Sequence, residues 1–262
     1  MLLRRLDDYQ GWQVSFGGIS LLLDPWLTAE PITGSFNRRR SIDAITLPGL
    51  ADAATEVVAI LLCTSVSDHA RPATLAALSQ TPVFGPAAAM RVARAAGSQR
   101  TQVMRPGDRQ DFWAPKGGRL TVTATRTGLP LGLIAIGYLV EAQEATGECA
   151  GRLWLEPHQP TRSVATSLAP VDLALLPVES VTAVVMPVTA GLAASIRAAE
   201  LARAQVIVPT ATDPRRDMTR WQRALYRVRG GTGADATAPT IPIVSMGAGD
   251  SRPVQSQARK RA

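Results

Sequence analysis

Residues 57–62, Val-Val-Ala-Ile-Leu-Leu, are the run that most limits what this chain can become. An apolar segment this short and this rich in β-branched residues suits a strand buried on both faces, which belongs in a parallel sheet with layers on either side. It gives way to a small polar loop, Thr64-Ser65-Val66-Ser67-Asp68-His69. Beyond the loop, Pro72 suits the first turn of a helix, where its missing N–H costs nothing, and Leu75 and Leu78 supply an apolar stripe at helical spacing. A polar loop between a buried parallel strand and a helix lies at the carboxyl edge of a sheet, where open α/β folds bind ligands. Asp68 and His69 therefore stand where a site is expected, although an aspartate just ahead of a helix is also a natural N-cap.

Mixed strands and helices continue on both sides of this run. Trp12–Phe16 and Ile19–Leu23 are two β-type runs joined by Gly17-Gly18, a tight-hairpin signal, and the second runs into Asp24-Pro25. After the Pro72 helix, the pattern predicts a strand at 82–84, a helix at 86–96 and a strand at 102–104. Strands at 120–126, 134–141 and 152–155 follow, the last ending in Glu156-Pro157-His158. Then come a buried strand at 171–177, a continuation of the sheet at 184–186, an Ala-rich helix at 193–204 and a strand at 206–208. Residues 215–229 predict an amphipathic helix and 241–244 a last strand. Residues 28–55, with the basic run Arg38–Arg40, read as a surface excursion over a cleft. From residue 248 the composition predicts a disordered basic tail, which leaves 1–247 as one domain.

A content of 46% hydrophobic residues over 262 positions is ample for a full core. No stretch reaches the roughly 18 uncharged apolar residues of a membrane span. Asp7 and Asp8 fall where a secretory apolar region would begin, so a soluble, cytoplasmic protein is expected. Cys63 and Cys149 are too few for a disulfide framework or a thiolate metal site. The net charge is +7, but Arg252, Arg259, Lys260 and Arg261 less Asp250 place +3 of it at the end of the chain. That is a weak basis for a nucleic-acid partner.

In order and spacing, the hairpin ending at Asp24-Pro25, the loop Thr64–His69, the strand ending at His158, and the segments 171–177 and 206–209 together resemble the metallo-β-lactamase superfamily. The resemblance spans residues 10–245 and implies an α/β, four-layer αββα sandwich with a metal site between the sheet edges. The family's leading signature is Thr-His-x-His-x-Asp-His. Thr64, Asp68 and His69 match it, while Ser65 and Ser67 replace its first two histidines. The next family histidine falls near residues 125–128, where there is none; His158 replaces the bridging aspartate, and Thr210 or Ala211 the last histidine. The pattern is similar to that of a divergent cyanobacterial and plant branch carrying an Asp-His loop and a Glu-Pro-His strand end.

A dinuclear zinc hydrolase needs about five or six N/O ligands and a bridging hydroxide, more than these residues supply. Yet the resemblance brings the only two histidines, His69 and His158, to one cleft with Asp24, Asp68 and Glu156. The expectation is a metallo-β-lactamase-fold protein with most metal ligands replaced, lacking the usual dinuclear zinc activity and binding a small molecule or a partner protein. The alternative is a mononuclear hydrolase of one zinc, iron or manganese ion. The resemblance implies Asp24, Asp68, His69 and His158 as its ligands, with Asp68 or Glu156 as general base. A shared site requires the two imidazoles to converge to within about 6 Å, and a separation above about 10 Å excludes it.

Overall fold

The opening hairpin closes because Gly17 (φ 60°) and Gly18 (φ 94°) both take the left-handed backbone that a two-residue primed turn demands. The computed structural model describes residues 1–7, 9–28, 50, 55–210, 224–230 and 240–256. The expected surface excursion with Arg38–Arg40 lies almost wholly outside them. In chain order the first strands are β1 (Leu2–Arg5), β2 (Trp12–Phe16), β3 (Ile19–Leu23) and β4 (Glu56–Leu61). Helix α1 (Pro72–Ala77), β5 (Val83–Gly85), α2 (Ala87–Ala95) and β6 (Thr101–Val103) follow. A meander of β7 (Arg109–Trp113), β8 (Arg119–Arg126), β9 (Ile136–Gln143) and β10 (Cys149–Leu155) leads to α3 (Arg162–Leu168) and β11 (Leu173–Leu176). The described chain continues through β12 (Ser180–Ala183), β13 (Met186–Ala190), α4 (Leu192–Leu201), β14 (Ile207–Pro209), β15 (Tyr226–Arg229) and β16 (Ser251–Pro253).

Two sheets face each other. One has the order β16-β1-β2-β3-β4-β5-β6, the other β14-β11-β10-β9-β8-β7. Along β3 and β4, alternation sends Leu21, Leu23, Ala59 and Leu61 into the shared core with Val122, Val140, Leu153 and Leu175. Leu22, Ile60 and Leu62 point the other way and pack on Leu75, Ala89 and Met90 of α1 and α2. On the outer face of the second sheet, Trp154, Ala174 and Leu176 pack on Ala165 and Leu168 of α3 and Ala198 and Ala199 of α4. The layers are therefore α, β, β, α, as expected. The strand at 57–62 is buried on both faces because helices cover one and the other sheet covers the second.

Four local expectations need correction. Residues 226–229 form β15, not helix: Val228 is buried between exposed Arg227 and Arg229, a period-2 pattern, and β15 pairs with β12. Residues 215–223 of that expected helix lie outside the described part. Val184–Met186 does not continue the main sheet; it is the tip of a separate three-stranded sheet, β13-β12-β15. Ile243 makes a single bridge to Ile207 rather than a strand. Finally, the expected disordered tail is ordered up to Ser256: β16 pairs with β1, and Val254 is buried in the inter-sheet core. Leu2–Arg5 pairs with β2 on one side, and among the described residues only β16 meets its other edge; backbone groups at such an edge favour pairing over solvation.

Candidate functional site

β3 and β4 are parallel, so Leu23 and Leu61 end at the same edge, and Asp24 follows directly. Asp24 takes a left-handed backbone (φ 44°), which Asp tolerates better than most side chains. There its Oδ1 accepts the Cys63 N–H at 2.8 Å while its Oδ2 accepts His69 Nδ1–H at 2.8 Å. The Thr64–His69 loop folds back on itself, with the His69 and Ala70 amides both donating to Val66 O. Asp68 does not cap α1, whose N-cap is Arg71; its Oδ2 accepts from Gln10 Nε2 at 3.3 Å.

The second sheet supplies the opposing wall. Glu156 and His158 follow β10, whose parallel partner β11 receives the Glu156 N–H at Leu175 O. Glu156 is fully buried, and its Oε1 accepts Thr127 Oγ1–H at 2.6 Å and the amides of His158 and Gln159 at 3.0 and 3.2 Å. The two sheets are tied together here by Tyr138 O–H donating to Leu62 O and by Ile136 N–H donating to Cys63 O. Gly137 sits between them for a steric reason: a Cβ there would lie 2.6 Å from Leu155 O, 2.7 Å from Thr125 Oγ1 and 3.1 Å from Glu156 Oε2.

The result brings the imidazoles of His69 and His158 to a centroid separation of 5.0 Å, inclined by 49°. All five expected residues, Asp24, Asp68, Glu156, His69 and His158, thus meet in one corner. Their electrostatics differ. Burial pulls the His69 pKa down, but the carboxylates of Asp24 and Asp68 overcome it and raise it to about 9, so this imidazole is protonated. Burial and the neighbouring His69 charge push the His158 pKa well down, so this one is neutral. Burial raises the Glu156 carboxyl to about 7 against the three hydrogen bonds to Oε1.

Sequence reasoning missed the residues that hold these groups. Gln10 positions Asp68, and Thr127 positions Glu156. Thr127 lies within the stretch where the family histidine is absent, but nothing in its neighbours marks it as a partner of Glu156.

Asp24 has both oxygens committed to Cys63 and His69, so it is a support for His69 rather than a metal ligand. Among the described residues no group of three or more His, Cys, Asp or Glu side chains is disposed to hold an ion. His69 is hydrogen-bonded to Asp24 and lies ring against ring with His158, and the set does not fit a metal shell.

No family model matches the sequence, and no curated protein matches it. Solved structures do. The chain is similar to an isothiocyanate hydrolase from Delia radicum gut bacteria at 14% identity, with 98% of this chain and 100% of that one covered and a TM-score of 0.67. It is similar to a possible metal-dependent hydrolase from Veillonella parvula at 13% identity, with 96% and 99% covered and a TM-score of 0.61. It is also similar to the metallo-β-lactamase fold protein YhfI from Bacillus subtilis at 12% identity, with 96% and 98% covered and a TM-score of 0.58. The chain has the metallo-β-lactamase fold. No helix of the described residues is long and apolar enough to cross a membrane.

Proposed function

We propose that this chain uses the metallo-β-lactamase fold as a binding protein for a small molecule, without the dinuclear zinc hydrolysis the fold commonly carries. The observation that carries the reading is the state of the site's polar atoms. Asp24 is spent on His69 and a backbone amide, whereas Glu156 Oε2, Asp68 Oδ1 and both ring nitrogens of His158 are buried with no partner among the described residues. Buried polar groups without partners cost about 1–3 kcal/mol each, so a cluster of them is satisfied by something that enters. Ser65 and Ser67 stand where the fold's first metal position has histidines, and Ser67 Oγ is itself buried and unpartnered.

The second reading, a mononuclear hydrolase, is favoured by one observation: His158 offers two free nitrogens 5.0 Å, ring to ring, from His69. It requires Asp68, His69 and His158 to share one zinc, iron or manganese ion. Elemental analysis of protein purified without chelator separates the two, run beside a panel of phosphodiester, lactone, thioester and β-lactam substrates. The binding reading expects substoichiometric first-row metal and no turnover. Stoichiometric metal that disappears in His69→Ala, together with metal-dependent turnover, establishes the hydrolase instead.

A further inference from the structure

The positive charge of this chain is not spread evenly. Residues 91–126 hold eight basic side chains and two acidic ones, an excess of +6 in a chain whose total is +7. Both acids are already engaged. Asp111 lies 3.6 Å from Arg109 and 3.3 Å from Arg119, and Asp108 Oδ2 accepts the backbone N–H of Arg105 in its own turn. Arg91, Arg94, Arg100, Arg105, Lys116 and Arg126 are exposed, and none of them meets a carboxylate among the described residues.

The fold gathers these cations on one flank. β6 ends the first sheet and β7 the second, and Phe84 of β5 meets Phe112 of β7 edge to face at 5.6 Å between ring centroids, which brings the two ends together. Arg100 directly precedes β6 and Arg105 stands two residues beyond it, while Arg94 of α2 donates through Nη1 to Thr101 Oγ1 of β6 at 3.0 Å. Three guanidinium groups therefore follow one strand over at most about 16 Å. Among the described residues β6 pairs with β5 alone, so its outer edge adds free backbone N–H donors. Across the flank, Trp113 at the end of β7 is 69% exposed, whereas Trp12, Trp26 and Trp154 are fully buried. The Arg119 guanidinium lies 5.3 Å from its ring centroid, so a steadied indole faces solvent among the cations. At the end of β8, Arg126 is followed by Thr127, the residue that holds Glu156, and there the flank reaches the corner described above.

We propose that this flank binds single-stranded nucleic acid, with phosphates on the cations beside β6 and an unpaired base stacked on Trp113, independently of what occupies the corner. A phosphodiester chain is a repeating anion that matches a row of arginines and free N–H donors. A base released from pairing offers the flat face that an exposed indole takes up, which a duplex keeps inside its stack. A membrane surface matches less well, because Val103 and Trp113 are the only large apolar side chains exposed on α2, β6 and β7, too few to make an apolar face that enters a bilayer.

The test is fluorescence anisotropy of the full chain with end-labelled oligo(dT) and oligo(rU) of about 20 nucleotides, over about 50 to 300 mM NaCl. Both are expected to bind, since neither contact involves the sugar. Affinity should fall with salt along a log–log slope of about −3 to −4, which corresponds to about four to six phosphates. Arg94→Gln, Arg100→Gln and Arg105→Gln together should make that slope shallower by about 2. The charge-matched set Arg162→Gln, Arg197→Gln and Arg227→Gln, at exposed positions on α3, α4 and β15, should leave it unchanged. Trp113→Ala, at an exposed position, should weaken binding about fivefold or more without altering the slope, because stacking releases no counterions. No binding at about 50 mM salt overturns the proposal. Equal losses in the two arginine sets show attraction to net charge alone and overturn the flank assignment. A duplex bound as tightly as the single strand, with Trp113→Ala silent, overturns the stacking contact and the preference for single strands. Tighter binding to vesicles of anionic phospholipid, lost in the flank variants, reassigns the surface to a membrane and overturns the nucleic-acid assignment.

Discussion

Asp24 serves His69 and the Cys63 amide at once, so one carboxylate sets both the charge of the histidine and the path of the loop behind it. The His69 pKa is raised from 6.5 to about 9, so the stability this pair contributes is fully present below pH 6.5 and is lost as pH rises through about 9. Glu156, raised from 4.5 to about 7, acts in the same direction but completes its change near pH 7. His158, held neutral, acts oppositely and only below pH 6.5. Urea denaturation is therefore expected to show stability falling between pH 7 and 9.5, by up to about 3 kcal/mol. Asp24→Asn keeps an acceptor for Cys63 N–H but removes the charge, so its profile over that window should be flatter; an equal slope would place the titration elsewhere. Glu156→Gln keeps an acceptor for Thr127, His158 and Gln159 and cannot ionise. Measured at pH 8, it should be as stable as the parent or more so.

At the scale of elements, β16 changes where the folded chain ends. It pairs with β1 through Leu2, Leu3 and Arg4, and Val254 just after it is fully enclosed by the inter-sheet core. Truncation after Asp250 removes that strand and about 1.5–3 kcal/mol of Val254 burial. Thermal unfolding is expected to shift down by about 5 °C or more. An unchanged midpoint would show the strand to be dispensable. β9 carries the second constraint, because its Gly137 faces Leu155 O, Thr125 and Glu156 too closely for a side chain. Gly137→Ala should cost about 1–3 kcal/mol through strain, and it should displace the Glu156 carboxylate as well, since the methyl would be 3.1 Å from Glu156 Oε2. β15 shows how a local pattern misleads. Met218, Trp221, Leu225 and Val228 read as a helical stripe, yet Tyr226–Arg229 alternates buried and exposed against β12, and sheet pairing overrides the helical spacing there.

For the whole molecule, the site exists because two sheets meet at one edge, and Tyr138 O–H to Leu62 O is a side-chain bond across that junction. Tyr138→Phe removes it and is expected to lower unfolding free energy by about 1–2 kcal/mol while leaving the core filled. A loss no larger than that of an exposed Tyr→Phe control would show the sheets to be held by apolar contact alone. Much of this architecture was legible beforehand. The Gly17-Gly18 hairpin, the doubly buried strand at 57–62, the meander and the polar ends at Asp24, Asp68-His69 and Glu156-Pro-His158 are written in periods of two, in turn residues and in short apolar runs, all of them local. Convergence of His69 and His158 followed from the resemblance and is met at 5.0 Å. The sequence by itself determined the central strands, β2, β3, β4 and β8 to β11, and the polar residues at the ends of β3, β4 and β10, because side-chain periodicity and backbone preference act over neighbouring residues. Tertiary structure alone decided what those residues do: that Asp24 is consumed by His69 and Cys63, that Thr127 holds Glu156, that Gln10 meets Asp68, and that β16 closes the sheet on β1. Each of these joins residues distant in the chain through a hydrogen bond whose partner is chosen by which backbone happens to lie alongside, and that choice leaves no local pattern to read.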